Sequence, residues 1–327
     1  MIVLISGGCG FIGTNLTKYF MEKTCKNVIV VDNLISSSDI HISKFQQEYP
    51  NRIFYINGDI TNIELCNNIK QYFPVIDEIY HLASIASPKK YKKHPLKTLN
   101  VGYNGTKNML DLCLYYKNCK FLYSSTSEIY GDALQHPQSE TYYGNTNTVG
   151  QRSAYDESKR IGETLVVNYT EMYNLDTRIV RIFNTYGPYM DLNDGRIITE
   201  MIKCFMSDEE LTINGGFQTR SFSYIDDTID MMLNVFENTS YKLPVNIGNN
   251  LEITIENLLI IFNKVVKKIS NKDLDFSKII FKTLEKDDPV KRCPDLSLYN
   301  SLFGRFIKTD LDNGLEKTLE FYTNVEN

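Results

Sequence analysis

The chain has no surplus of basic charge. Its 327 residues carry 35 Lys and Arg against 40 Asp and Glu, a net charge of −5. That balance argues against a broad nucleic-acid footprint, which needs a basic face. It leaves room for a small basic pocket around an anionic ligand. Histidine is scarce: the four, at 41, 81, 94 and 136, make no metal-ligand spacing with the cysteines. The seven cysteines are odd in number and form no CxxC pair. They fit a reduced setting better than a disulfide framework. No apolar run approaches the roughly 20 residues of a membrane span. "MIVLISGG" reads at once as a core strand rather than a signal peptide. The expectation is a soluble cytoplasmic protein with neither nucleic acid nor membrane as partner.

What is present is a rhythm. Short β-branched runs at 2–6, 27–32, 52–56, 77–83, 120–125 and 177–183 alternate with helical stretches near 11–24, 62–73, 95–117 and 154–174. Such alternation predicts βαβ units, hence an α/β fold with a Rossmann-type doubly wound parallel sheet. After residue 184 the rhythm loosens into turns and glycine loops. It recovers in a helix at "YIDDTIDMMLNVFE", a strand at 244–248, a helix at 254–269 and a strand at 278–283. We expect residues 1–183, with a return over about 222–250, to form the sheet domain. Residues 184–221 and 251–327 are expected to form a smaller α/β domain.

"SGGCGFIG" sets Gly7, Gly10 and Gly13 between a strand and a helix. Glycines there allow a tight turn and close approach of backbone N–H groups to a pyrophosphate facing the helix N-terminus. Asp32 ends the second strand, where an acid holds the ribose hydroxyls of NAD. No Lys or Arg follows in "NLISSSD" to receive a 2′-phosphate, which favours NAD over NADP. Asp59 in "GDI" is placed to reach the adenine. Further on, "SAYDESKRIGE" holds Tyr155 and Lys159 at i and i+4, on one helix face. A phenol with pKa near 10 is almost wholly protonated at pH 7. A nearby ammonium and a positive nicotinamide stabilise the phenolate, giving a base for a sugar hydroxyl while NAD takes the hydride.

The glycine loop, "YHLASIASP" (80–88), "STSEIYGDALQHPQSE" (125–140), "AYDESKR" (154–160), "RIFNTYGP" (181–188), "NDGR", "QTRSF" and "DDPVKRCPD" span nearly the whole chain in order. Together they resemble the extended short-chain dehydrogenase/reductases that modify nucleotide sugars, and within them most the UDP-glucuronate decarboxylases, or UDP-xylose synthases. The resemblance implies Thr126, Glu128, Tyr155, Lys159 and Arg220 as catalytic residues. It implies Phe11, Ile12, Asn33, Ile60, Leu82, Ala83, Ser84 and Ser124 beside the glycines, Asp32 and Asp59 around NAD. It gives the UDP-sugar to Tyr91, Lys97, Asn184, Arg196 and Arg292, and makes the long helices a homodimer contact. Sugar dehydratases of this family carry Thr-Asp-Glu where this chain has Thr126, Ser127 and Glu128. A serine is too weak an acid to protonate a departing hydroxyl. The 4-epimerases usually lack the glutamate as well. Keeping the glutamate without the acid is the decarboxylase pattern.

Three departures accompany the match. Gly102 stands where asparagine is usual, a loss expected to loosen a contact behind the active site. Gln151 and Ile85 stand where proline is usual. "KKYKK" (89–93) reads as a solvated loop rather than a nucleic-acid patch. The alternatives left open are a decarboxylase that releases UDP-4-keto-pentose, a 4,6-dehydratase or 4-epimerase, and a non-catalytic NAD-binding scaffold. Arg220 either grips the substrate carboxylate or helps bring a proton to C5, with Glu128 adjusting geometry.

Overall fold

The computed structural model describes residues 1–207, 209–283, 290–306 and 308–325. Asp287, Asp288 and Pro289 of "DDPVKRCPD" lie outside them. Seven parallel strands form the main sheet: β1 (Ile2–Ser6), β2 (Asn27–Asp32), β3 (Ile53–Asn57), β4 (Glu78–His81), β5 (Lys120–Thr126), β6 (Asp176–Ile182) and β7 (Pro244–Ile247). Their order is β7-β6-β5-β4-β1-β2-β3. The chain builds outward from β1 in one direction through β2 and β3, then returns to build through β4 to β7. The switch point lies between β1 and β4, whose ends pair Ser6 with His81. In an open sheet of this kind the crevice beyond the strand ends at that point receives a ligand.

Both faces of the sheet are covered, which explains why most of its strand residues are apolar. Val3, Ile5, Val28, Val30, Tyr80 and Val180 pack in one core with Leu16 and Phe20 of helix α1 (Phe11–Lys23) and with the helix Ile225–Glu237. Their neighbours Leu4, Ile29, Val31, Ile79, Phe121 and Ile179 belong to the opposite core, with the helices Ile63–Tyr72 and Thr106–Tyr115 and with Val166 of helix α2 (Ser153–Tyr173). Alternation along each strand produces this division.

Beyond β6 the strands pair among themselves. Thr219–Ser221 lies between Glu252–Thr254 and Lys291–Arg292, and Ile279–Lys282 pairs with Leu211–Asn214. The chain rejoins the main sheet at β7.

The expected helix over 95–117 runs unbroken from Pro95 to Tyr115, with a π turn, Val101–Gly105, between its α-helical parts Pro95–Asn100 and Thr106–Tyr115. Gly102 sits in that turn against α2. A Cβ there would meet the Ser158 Cβ and carbonyl oxygen at 2.6 Å. The glycine thus tightens the contact behind the active site, where we expected loosening. "KKYKK" is likewise not a loop. It lies in the short helix Pro88–Lys93, held by burial of Tyr91.

Candidate active site

A cavity opens at the switch point, and the residues expected around NAD line it. Gly7, Gly10, Phe11, Ile12 and Gly13 come from the β1–α1 turn; Asp32 and Asn33 from the end of β2; Asp59 and Ile60 from beyond β3. Leu82, Ala83 and Ser84 follow β4, and Ser124 ends the wall on β5. The glycines are required by space. Gly7 has φ +74° and its Cβ would lie 2.6 Å from the Ala83 backbone, while a Cβ on Gly13 would lie 2.4 Å from the Gly7 carbonyl oxygen. The N-cap of α1, Gly10, makes no side-chain hydrogen bond. The first N–H groups of a long helix are therefore presented to an anion. Asp32 is fixed by hydrogen bonds from the Cys9 and Leu34 N–H groups and the Ser37 hydroxyl. This cradle fits NAD: it offers room for a pyrophosphate and a carboxylate for ribose hydroxyls. Two cations, Lys90 and Arg196, do reach its rim from other segments. Lys90 donates to the Ser36 carbonyl at 3.0 Å and pairs with Asp191 at 2.9 Å.

A second, larger space of about 380 Å³ continues from this cavity between the main sheet and the later segments. β5 delivers Thr126, then turns into a short 3₁₀ helix, Ser127–Tyr130, which carries Glu128. α2 delivers Tyr155 and Lys159. The Tyr155 ring stacks on Tyr91 at 5.4 Å, nearly parallel. Burial pushes the Tyr155 phenol up to about 12, with a hydrogen bond to Thr126 pulling the other way. Burial pushes the Lys159 ammonium down to about 7, against the charge of Glu163. Lys159 Nζ donates to the Ser124 carbonyl at 2.7 Å. The lowered tyrosine expected from the sequence is thus not supplied by these side chains, because desolvation outweighs them. Bound NAD would add the positive charge that lowers it.

The far wall is charged. Glu128 forms ion pairs with both Arg152 and Arg292. Burial alone would raise its carboxyl, but Arg292 and Arg152 hold it well below the ordinary range. Arg220 and Arg292 stand opposite each other on neighbouring strands and line the same space, as do Asn184 and Arg196.

Lys97 does not join this group. It is exposed on the helix Pro95–Asn100, which turns Thr98 inward instead, and it lines neither cavity. Sequence reasoning missed Arg152. The available signal was its position three residues before Tyr155, one turn earlier at the start of α2.

The model of the NAD dependent epimerase/dehydratase family matches residues 3–248. The chain belongs to that family. Among curated members, UDP-glucuronic acid decarboxylase 3 of Arabidopsis thaliana is 40% identical over 316 residues, covering 96% of this chain and 87% of that protein. UDP-glucuronic acid decarboxylase 1 of Xenopus tropicalis is 36% identical over 321 residues, covering 98% and 72%. Among solved members of the family, UDP-glucose 4-epimerase of Thermotoga maritima with UDP-glucose superposes with a TM-score of 0.86 at 25% identity, covering both chains in full. UDP-glucuronic acid 4-epimerase of Bacillus cereus, in complex with UDP-glucuronic acid and NAD, superposes with 0.83 at 26% identity over 99% of this chain and 100% of that one.

Proposed function

We propose that this family member decarboxylates UDP-glucuronate to UDP-xylose through a 4-keto intermediate, with NAD regenerated in each cycle. The observation that carries the reading is the end of β5. Thr126 and Tyr155 line the sugar space together beside the cofactor cavity, Glu128 is held ionised by two arginines, and Ser127 leaves no acid for a departing hydroxyl. The named decarboxylases among its relatives agree with this.

Bound NAD supplies a hydride acceptor at C4 and, once reduced, the donor that returns it. Tyr155 takes the O4 proton, and Thr126 hydrogen-bonds the same oxygen. The sugar carboxylate is then β to a ketone. Its loss as CO₂ leaves an enolate whose charge rests on O4, where the Thr126 and Tyr155 hydroxyls donate to it. Lys159, anchored on Ser124, positions the nicotinamide ribose. Arg196, Arg220 and Arg292 suit the diphosphate and carboxylate of a UDP-sugar. A tight grip on that carboxylate opposes its departure as a neutral molecule, so recognition and release compete at Arg220.

We read residues 184–221 and 251–327 as the sugar-nucleotide side of the cleft. The helical stretches 95–115 and 153–173 expose Leu96, Leu99, Tyr103, Leu114, Ile161 and Tyr173, which supports a homodimer through those faces. Sedimentation at micromolar concentration tests this. Among the described residues no helix is long and apolar enough to cross a membrane. We place the enzyme in the cytoplasm, to be checked by fractionation.

The function is tested by incubating the protein with NAD and UDP-glucuronate, reading proton NMR and absorbance of the reduced cofactor. UDP-xylose without build-up of NADH is expected. UDP-4-keto-pentose with stoichiometric NADH would overturn the return of the hydride. An intact carboxylate would overturn the decarboxylase.

A further inference from the structure

Decarboxylation has an unbalanced proton. The O4 proton goes to Tyr155 and comes back, and the C4 hydride leaves and returns. The bond from C5 to the carboxylate breaks with its electron pair left on the sugar, and CO₂ departs. A new C5–H bond then forms with a proton that neither exchange supplies. One proton must therefore enter from solvent in each turnover, while a UDP-sugar fills the front of the cleft.

Behind Glu128 lies a small cavity of about 40 Å³, lined by Glu128, Arg152, Arg292, Asp156, Asn147 and Asp132 among others. Glu128, Arg152 and Arg292 line the sugar space as well. They form the partition between the two. On the outer side, Asp132, Asn145 and Asn147 are exposed. On the inner side, Asp156 is buried, 6% exposed, and its Oδ1 has no hydrogen-bond partner among the described residues. Arg292, 5% exposed, likewise has Nη2 without one among those residues. Two unpartnered buried polar atoms on one cavity call for something to bridge them. A water needs roughly 10–15 Å³, so the cavity has room for one. Glu128 is poorly suited to carry the proton, because two guanidinium groups hold it as a carboxylate. Asp156 is the carboxyl that no arginine clamps in the same way.

We propose that Asp156 and the cavity behind Glu128 are the path by which the proton consumed at C5 enters the active site. This rests on the decarboxylase reading. Asp156, protonated from the exposed rim, gives its proton through a cavity water past Glu128 to C5, and is reprotonated from solvent. It acts through the partition and does not touch the sugar, so it is a positioning and relay residue.

The test is a single turnover of holoenzyme with carboxyl-labelled UDP-glucuronate, following CO₂ and UDP-xylose separately. For Asp156→Asn, CO₂ is expected to appear in a burst near the wild-type rate. UDP-xylose should lag by about 10²-fold, the scale of a lost general acid. The solvent deuterium isotope effect on the slow phase should rise, and Asp156→Glu should recover part of the rate. Asn147→Leu, on the exposed rim, gives an independent variant that should slow the same phase. CO₂ and UDP-xylose falling together, or neither falling, would overturn the route. A wild type that releases no CO₂ would overturn the decarboxylase reading itself, and the route with it.

Discussion

The two ends of the cleft are built on different principles. The cofactor end is made of backbone: a glycine turn, an uncapped helix N-terminus and the tips of parallel strands. The sugar end is made of charge. Glu128, Arg152 and Arg292 come from three separate segments and meet at a partition, with Arg220 opposite Arg292 on the neighbouring strand. A backbone cradle depends on space, so steric changes should damage it. A charged partition depends on pairing, so changes in charge should damage that end.

Tyr155, where the two ends meet, gives the largest expected effect. Tyr155→Phe removes the base while keeping the ring stacked on Tyr91. Turnover should fall by about 10²–10⁴-fold. NAD affinity by calorimetry should stay near that of the wild type. A parallel loss of NAD binding would mean that the two ends are not separable.

Arg292→Leu attacks the charged end. It leaves the Glu128 carboxylate paired with Arg152, at a cost of about 1.5–3 kcal/mol in unfolding free energy at pH 7. The native Glu128 carboxyl is held below its ordinary value of 4.5. Its pairing therefore stabilises the fold above that value and is lost as pH falls toward the native one. The difference between variant and wild type should narrow below pH 4.5 in denaturant titrations. A constant difference would assign the effect of Arg292 to packing.

Gly13→Ala attacks the backbone end. The added Cβ would meet the Gly7 carbonyl oxygen at 2.4 Å. Overpacking of that kind costs about 1–3 kcal/mol. It should appear as weaker NAD binding, with turnover recovered at saturating NAD. Unchanged affinity would show that the turn relaxes.

The same difference explains what the sequence made legible. β1 and β2 fall on the expected residues, and the other sheet strands lie within one to two of them, because β-branched runs and glycine punctuation are local signals. The cofactor residues were legible for the same reason, since each follows a strand. The helices Ile40–Glu48 and Ile197–Ser207 went unread, the first because its apolar content is slight. The π turn at Gly102 was hidden because it answers to Ser158 on another helix. At the charged end Arg220 and Arg292 were singled out by resemblance, but their register opposite each other comes from strand pairing across about 70 residues. Lys97 was placed in the pocket by the same resemblance, yet its helix faces it outward. Arg152 and Asp156 were within one turn of Tyr155, but nothing local announces that Glu128 will meet them.

The smallest effect concerns Asp156, and it separates a relay from a structural carboxylate. Burial raises its carboxyl above the ordinary value of 3.8, and the charge of Glu128 raises it further. Arg152 and Arg292 pull it down, and Glu157 pushes it up. The native state therefore holds a proton that the unfolded chain releases. Stability from this group is complete below pH 3.8 and declines as pH rises toward the raised native value. Asp156→Asn removes that decline. The variant should gain stability over wild type by pH 8, and gain less at pH 5. Melting curves at the two pH values measure this. A variant less stable at both would make Asp156 a structural carboxylate, held for its contacts rather than for its proton.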